Sequence, residues 1–268
     1  MGLHPNLSPI YETQFLIRVI MTLSRNRWIS RIRGPLRIRR FMHNACRTLP
    51  TTKICKKRGT NESFFHGPNH ILIEPQFIME QTTGLEKRFM WGNQNEALHD
   101  YFTTLFAKHC QNDDKLRWVN KTPININYWR ELYDVFPGMR FIHCVRDGRD
   151  VLCSSIRRWG SRRMTKFTDR WVDAIHHGQA FAAKHQDQYL EIKYENLLEN
   201  PQQELDRIFS WLGEEPCAEH ALKKYSDSGF RINPSRVGNW KKELSQEKLD
   251  EFERVAGKLL DQLRYRDK

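Results

Sequence analysis

FIHCVRDGRDVLCSSIRRW, residues 141–159, is the stretch on which the reading of this chain turns. The apolar run Phe141–Val145 passes straight into Arg146-Asp147-Gly148-Arg149-Asp150, and an apolar pattern of helical period follows at once. A strand that becomes a helix without a long loop suits an open α/β sheet, in which ligands gather at the carboxyl ends of the strands. The free N–H groups of a helix start favour an anion at that place. Arg146 stands at the strand exit, Ser154 two turns up the helix, and Arg158 four residues further along the same face. A guanidinium grips phosphate or sulfate bidentately and a hydroxyl adds one directional bond. Asp147 and Asp150 fall in the first turn, where carboxylates cap a helix and hold neighbouring arginines. The stretch therefore reads as a phosphate or sulfate site. The alternative is an ion-pair cluster at a helix start.

Outward from this junction, strands and helices alternate. RWVNKTP (117–123) reads as a short buried strand ending on Lys121. Residues 124–136 read as a helix with Trp129, Leu132, Tyr133 and Phe136 as its apolar stripe, closed by the turn Pro137-Gly138. A long helix is expected over about 165–184, then a strand in QYLEIKYENL (188–197) that ends in a helix start, then helices near 201–212 and 246–263. Upstream, NEALHDYFTTLFAKHC (95–110) puts Leu98, Phe102, Leu105 and Phe106 on one helical side. A helix is expected from Glu12 to Leu23, a basic helical segment to Cys46, and an exposed loop over 51–70. The opening MGLHPNLSP has turn chemistry. The alternation predicts an α/β fold with a parallel sheet flanked by helices.

Composition agrees with a globular chain: 39% of its 268 residues are hydrophobic and 28% charged. No apolar run approaches the ~18 residues of a membrane span; the segment FLIRVIMTL (15–23) is short and interrupted by Arg18. The six cysteines (46, 55, 110, 144, 153, 217) show no CxxC spacing, so no zinc site is expected, and Cys144 and Cys153 read as small core residues. The net charge of +12 is concentrated: between Glu12 and Glu62 there is no acidic residue but there are 13 Lys and Arg, from Arg18 to Arg58. Such a local field attracts polyanions or acidic substrates, or is a solvated basic face.

The chain has neither GxxxxGK[ST] nor GxGxxG, so Walker-type and Rossmann nucleotide binding are unsupported, and no GxSxG elbow is present. Four blocks carry a resemblance instead: WVNKTP, FPGMRFIHCVRDGRDVLCSS, YLEIKYENLLENP and PSRVGNWKKEL, spanning about residues 117–245. In order and spacing they resemble the sulfotransferase family, which uses 3′-phosphoadenosine 5′-phosphosulfate as donor. HPNLSPIYETQFL further resembles the bacterial-type and tyrosylprotein-type branch. The resemblance implies a P-loop NTPase-like sulfotransferase fold over residues 1–268 as a single domain, with a basic insertion over 24–62.

By the same resemblance, Arg146 and Ser154 match the pair that binds the donor's 3′-phosphate, with Arg158 as an auxiliary contact. Tyr194 matches a nucleotide-contacting position, and Ser235, Trp240 and Lys241 fall in the C-terminal loop that covers the nucleotide; a serine near 226–228 is an alternative there. Glu12 matches the proposed general base and Lys121 the lysine that steadies the transferring group. Sulfuryl transfer resembles phosphoryl transfer, an in-line displacement governed by positioning and charge. A base takes the acceptor's proton and a cation meets the charge developing on oxygen; no metal is implied. The family's phosphate loop, of the type Pro-Arg-Ser-Gly-Thr-Thr, belongs just ahead of HPNL and is not found here, which leads to the expectation of an N-terminally incomplete sulfotransferase.

The expected function is transfer of a sulfuryl group to a hydroxyl acceptor, anionic if the basic 18–58 region recognises it: an acidic peptide or a glycan. The rival expectations are a remnant that binds the nucleotide without turnover and a basic nucleic-acid-binding protein. Bacterial-type relatives imply a cytoplasmic location and tyrosylprotein-type relatives the Golgi lumen.

Overall fold

A computed structural model of the chain describes residues 1–11, 14–24, 34, 36–40, 42–43, 54–56, 63–65 and 73–266. They divide into two compact units, Met1–Met139 and Arg140–Lys268.

In the first unit, strands β1 (Leu7–Tyr11), β2 (Ile54–Lys56), β3 (Ser63–Phe65) and β4 (Arg117–Lys121) form two pairs. β1 runs parallel to β4 with Leu7 opposite Arg117 and Tyr11 opposite Lys121. The turn expected in the opening residues is thus partly a strand. Pro9 suggests a turn, but a proline is tolerated on an edge strand, where its missing N–H costs no ladder bond. Tertiary contacts then hold β1: the Ser8 hydroxyl donates to Asp113 at 2.6 Å, and Lys115 donates to the carbonyls of Gly2 and Leu7 at 2.7 and 3.1 Å. β2 and β3 are antiparallel, so the loop expected over 51–70 contains a strand pair among its described residues.

Helices Gln14–Ser24, Pro75–Trp91, Gln94–Asn112 and Trp129–Val135 build the core of this unit. The predicted stripe Leu98, Phe102, Leu105 and Phe106 is fully buried, with Ile10, Leu16, Ile20, Leu85 and Phe89 against it. Asn93 caps the helix Gln94–Asn112, its side-chain Oδ1 accepting the N–H of Asn95 and Glu96. The helix Pro75–Trp91 was not expected, since Gly84 and paired threonines dilute its pattern; it buries Ile78, Thr82, Leu85 and Phe89. Residues 124–136 are not one helix: a 3-10 segment, Pro123–Tyr128, precedes the α-helical turns. β4 is half-buried rather than buried, and Lys121 at its end is exposed. The described residues of 34–43 are helical, as expected of the basic segment. Most of the proposed 24–62 insertion lies outside the described residues.

In the second unit, β5 (Phe141–Val145) pairs parallel with β6 (Tyr189–Lys193), from Phe141 opposite Tyr189 to Val145 opposite Lys193. The crossover carries the helices Gly148–Trp159 and Met164–Ala182. Val145, Leu152, Trp171, Ile175, Phe252, Ala256 and Leu260 form one core under the C-terminal helix Gln246–Gln262. Burying a side chain such as Val145, Leu152, Phe252 or Leu260 contributes about 1.5–3 kcal/mol. The pattern over 201–212 is a helix as read, and Ala218–Asp227 is an additional one. Cys153 is in the core, but Cys144 is exposed, contrary to expectation. It projects from β5 on the side opposite to its buried neighbour Val145, following the alternation of a strand. The fold is α/β, with short parallel strand pairs joined through helices.

Candidate functional site

The parallel register fixes the centre of the site. Val145 and Lys193 are the last pair of β5 and β6, so the next residues, Arg146 and Tyr194, leave the sheet side by side. The Arg146 guanidinium lies over the Tyr194 ring, 4.7 Å from its centroid. Tyr194 is the first residue of the helix Tyr194–Glu199.

The Arg-Asp-Gly-Arg-Asp run packs as a buried polar knot. Asp147 is the N-cap of the helix Gly148–Trp159, accepting the Arg149 N–H at 2.9 Å. It also takes the Arg149 guanidinium at 2.8 Å, which in turn donates to the Tyr265 carbonyl. Glu195, itself buried, accepts the Asp147 N–H at 2.9 Å and the Tyr265 hydroxyl at 2.9 Å. Burial and the neighbouring Glu195 push the Tyr265 phenol well above its ordinary pKa, so it serves as a neutral donor. Gly148 is required by packing: a Cβ there would sit 2.6 Å from Phe252 and 2.8 Å from the Trp171 indole. The same indole donates to the Arg146 carbonyl at 3.0 Å, locking the strand exit.

Arg146 is only partly committed to protein partners. One terminal nitrogen donates to the Arg236 carbonyl at 2.9 Å and lies 3.6 Å from Asp150. Its Nε is buried and has no hydrogen-bond partner among the described residues. A buried cationic N–H with no acceptor is costly, and an anion at this corner would satisfy it.

The other expected residues spread around this centre. Ser154 is exposed on the helix, as is Arg158, whose guanidinium carbon lies 5.1 Å from the Trp159 ring centroid. Ser235 sits in the short turn Pro234–Arg236, where its hydroxyl donates to Asn233 at 2.6 Å. Trp240 does not present a free indole face toward a nucleotide on the side of Arg149, whose guanidinium stacks on it at 3.7 Å. The Trp240 and Gly238 N–H groups donate to the two oxygens of Asp150 at 3.0 and 2.9 Å. Lys241 is exposed, its ammonium 5.7 Å from the Trp240 ring. Of the alternative serines, Ser228 donates to the Lys224 carbonyl, and Ser226 lines an open groove with Tyr225, Phe230 and Arg231. Tyr225 and Phe230 stack there at 5.2 Å.

Lys121 belongs to the first unit, at the exposed end of β4 and opposite Tyr11. Glu12 lies outside the described residues; the strand that leads into it ends beside the strand that ends on Lys121. Sequence reasoning missed Glu195, Tyr265 and the Arg236 carbonyl. A glutamate in the first turn of the helix that follows β6 was a usable signal for the first. Nothing local marks the other two, which are long-range partners. Among the described residues no cluster of His, Cys, Asp and Glu could hold a metal ion, and no helix is long and apolar enough to cross a membrane.

A parallel strand pair here delivers an incompletely satisfied arginine to a helix N-terminus within an α/β fold. Residues 4–219 match the model of the sulfotransferase family, and the chain belongs to that family. It is 26% identical over 152 residues to a protein-tyrosine sulfotransferase of Drosophila melanogaster, a match covering 52% of this chain and 28% of the relative. A relative from Caenorhabditis briggsae is 24% identical over 124 residues, 44% of either chain. The chain thus spans less than half the length of these curated relatives. Among solved structures, the sulfotransferase domain of the Synechococcus PCC 7002 olefin synthase shares 15% identity at a TM-score of 0.49, covering 94% of this chain and 96% of that one. A sulfotransferase from Mycobacterium avium shares 11% identity at a TM-score of 0.49, covering 98% and 77%.

Proposed function

We propose that the chain transfers a sulfuryl group from 3′-phosphoadenosine 5′-phosphosulfate to a hydroxyl acceptor, with Arg146 at the centre of the donor site. The observation that carries this reading is the buried, unsatisfied Nε of Arg146 at the strand exit. It fits an anionic oxygen and has no other evident use. The donor would supply the activated sulfuryl group. Arg146 would hold its 3′-phosphate, Ser154 would add a hydroxyl bond from two turns up the helix, and Arg158 would strengthen the local field. Tyr194, already stacked on Arg146, would keep the guanidinium aimed. Ser235, Trp240 and Lys241 would act through the C-terminal loop.

For the chemistry, Glu12 is proposed to take the acceptor's proton and Lys121 to neutralise charge on the transferring group. The parallel pairing of β1 with β4 supports joint action, since Tyr11, immediately before Glu12, is opposite Lys121. Similarity to the Drosophila protein-tyrosine sulfotransferase favours a tyrosyl hydroxyl on a protein as acceptor. The run of 13 Lys and Arg without an acidic residue between Glu12 and Glu62 favours an acidic segment around that tyrosine. A compartment reached by such acceptors follows as part of the same proposal.

The test is incubation of the chain with the 35S-labelled donor and a tyrosine peptide flanked by acidic residues. Labelled peptide that requires Lys121 and Arg146 supports the proposal. Nucleotide binding without transfer to any hydroxyl acceptor would point to a non-catalytic member instead.

A further inference from the structure

One buried carboxylate near the proposed donor site is given no role there by either the resemblance or the family match. Asp150 is 1% exposed and stands in the first turn of the helix Gly148–Trp159. Its two oxygens accept the N–H groups of Gly238 and Trp240, which belong to the distant loop 233–240. One of the same oxygens lies 3.6 Å from Arg146. Arg146 in turn donates to the Arg236 carbonyl in that loop. The contacts close a ring: Arg146 to loop, loop to Asp150, Asp150 back to Arg146. Gly238 has φ +73°, a left-handed conformation that turns its N–H toward the carboxylate and that a side chain would strain. Trp240 anchors the far end by stacking on Arg149, and Glu243 pairs with Arg157 at 3.0 Å just beyond.

A carboxylate this close to an anion site opposes the anion's charge. Its retention in a buried position therefore calls for a compensating role, and two backbone N–H bonds supply one. We infer that Asp150 is a positioning residue that holds the loop 233–240 and the Arg146 guanidinium as one unit, so that the nucleotide meets a loop already closed over its phosphate corner. This rests on the reading of Arg146 as the donor's anion site. Asp150 itself touches neither donor nor acceptor in this account. It acts by fixing two groups that do.

The experiment is tryptic digestion of the full chain, following cleavage after Arg236 by mass spectrometry, with and without 3′-phosphoadenosine 5′-phosphate. Cleavage after Arg170, inside the helix Met164–Ala182 of the same unit, monitors unfolding of that unit. Without nucleotide, Asp150→Ala is expected to speed cleavage after Arg236 at least tenfold while cleavage after Arg170 is unchanged. Asp150→Asn, which retains one acceptor oxygen, is expected to fall between. Nucleotide should protect Arg236 in the native chain and fail to do so in Asp150→Ala, with at least tenfold weaker binding. If Asp150→Ala unfolds, cleavage after Arg170 rises as well, and Asp150→Asn decides on the same readouts. Cleavage after Arg236 at the native rate in a folded variant overturns the inference, whatever the nucleotide does. A native chain that binds no nucleotide sinks the donor-site reading instead, and the nucleotide-free cleavage rates still judge Asp150.

Discussion

Arg146 and Tyr194 stand side by side because each is the residue after a paired strand partner, Val145 and Lys193, and the guanidinium stacks on the ring at 4.7 Å. Backbone register thus places a cation over an aromatic face at the end of two parallel strands, with Trp171 holding the Arg146 carbonyl from below. The side chain is oriented before any ligand arrives.

From this follows a prediction about the geometry of the cation. Arg146→Lys keeps the charge but loses the planar fork and the buried Nε donor. Binding of 3′-phosphoadenosine 5′-phosphate should weaken roughly 10- to 100-fold, equivalent to about 1.5–3 kcal/mol for a charged hydrogen bond. A competition titration against the native chain checks it, and equal affinities would show that charge alone suffices.

Gly148→Ala should destabilise the second unit. The added methyl would overlap Phe252 and Trp171 at 2.6 and 2.8 Å, and neither ring can move without disturbing the core. Overpacking of this kind costs about 1–3 kcal/mol, to be read as a shift of the denaturant midpoint at unchanged slope.

His143 predicts a pH dependence. Burial lowers its pKa from 6.5 to about 4, and its Nδ1 shares a 2.8 Å hydrogen bond with the Tyr189 hydroxyl, which donates to Glu191 at 3.2 Å. The folded state holds the ring neutral while the unfolded chain protonates near 6.5. The associated stability is therefore complete above pH 6.5 and lost as pH falls from there toward 4. Denaturant titrations of the native chain and of His143→Gln should converge over that window, and parallel pH curves would remove His143 from the account.

Lys121→Ala should lower turnover by about 10²–10³, the usual loss when one group stabilising developing charge is removed, with donor affinity little changed. Glu12→Gln should lower turnover by about 10²–10⁴. For an acidic peptide acceptor, KM should rise steeply with salt as surface attraction is screened; a KM indifferent to salt would remove the anionic acceptor from the proposal.

The junction at 141–159 was legible because its strand and its aspartate N-cap are local signals, whereas the packing that demands Gly148 comes from Trp171 and the distant Phe252. The stripe on the helix Gln94–Asn112 was legible for the same reason, its period matching its burial. β1 was not, since Leu7–Tyr11 becomes a strand only through β4 and the Ser8–Asp113 and Lys115 contacts, more than a hundred residues away. The tie between Asp150 and the Gly238 and Trp240 N–H groups spans 88 and 90 residues, and backbone donors leave no mark in a sequence. Motif spacing could name Arg146, but only the fold shows that its Nε lacks a partner.

The most direct test of the central claim is calorimetric titration of the chain with 3′-phosphoadenosine 5′-phosphate, repeated with Arg146→Ala. The native chain should bind, and binding should disappear in a variant still folded by circular dichroism. Native-like binding in the variant, or none by the folded native chain, would contradict it.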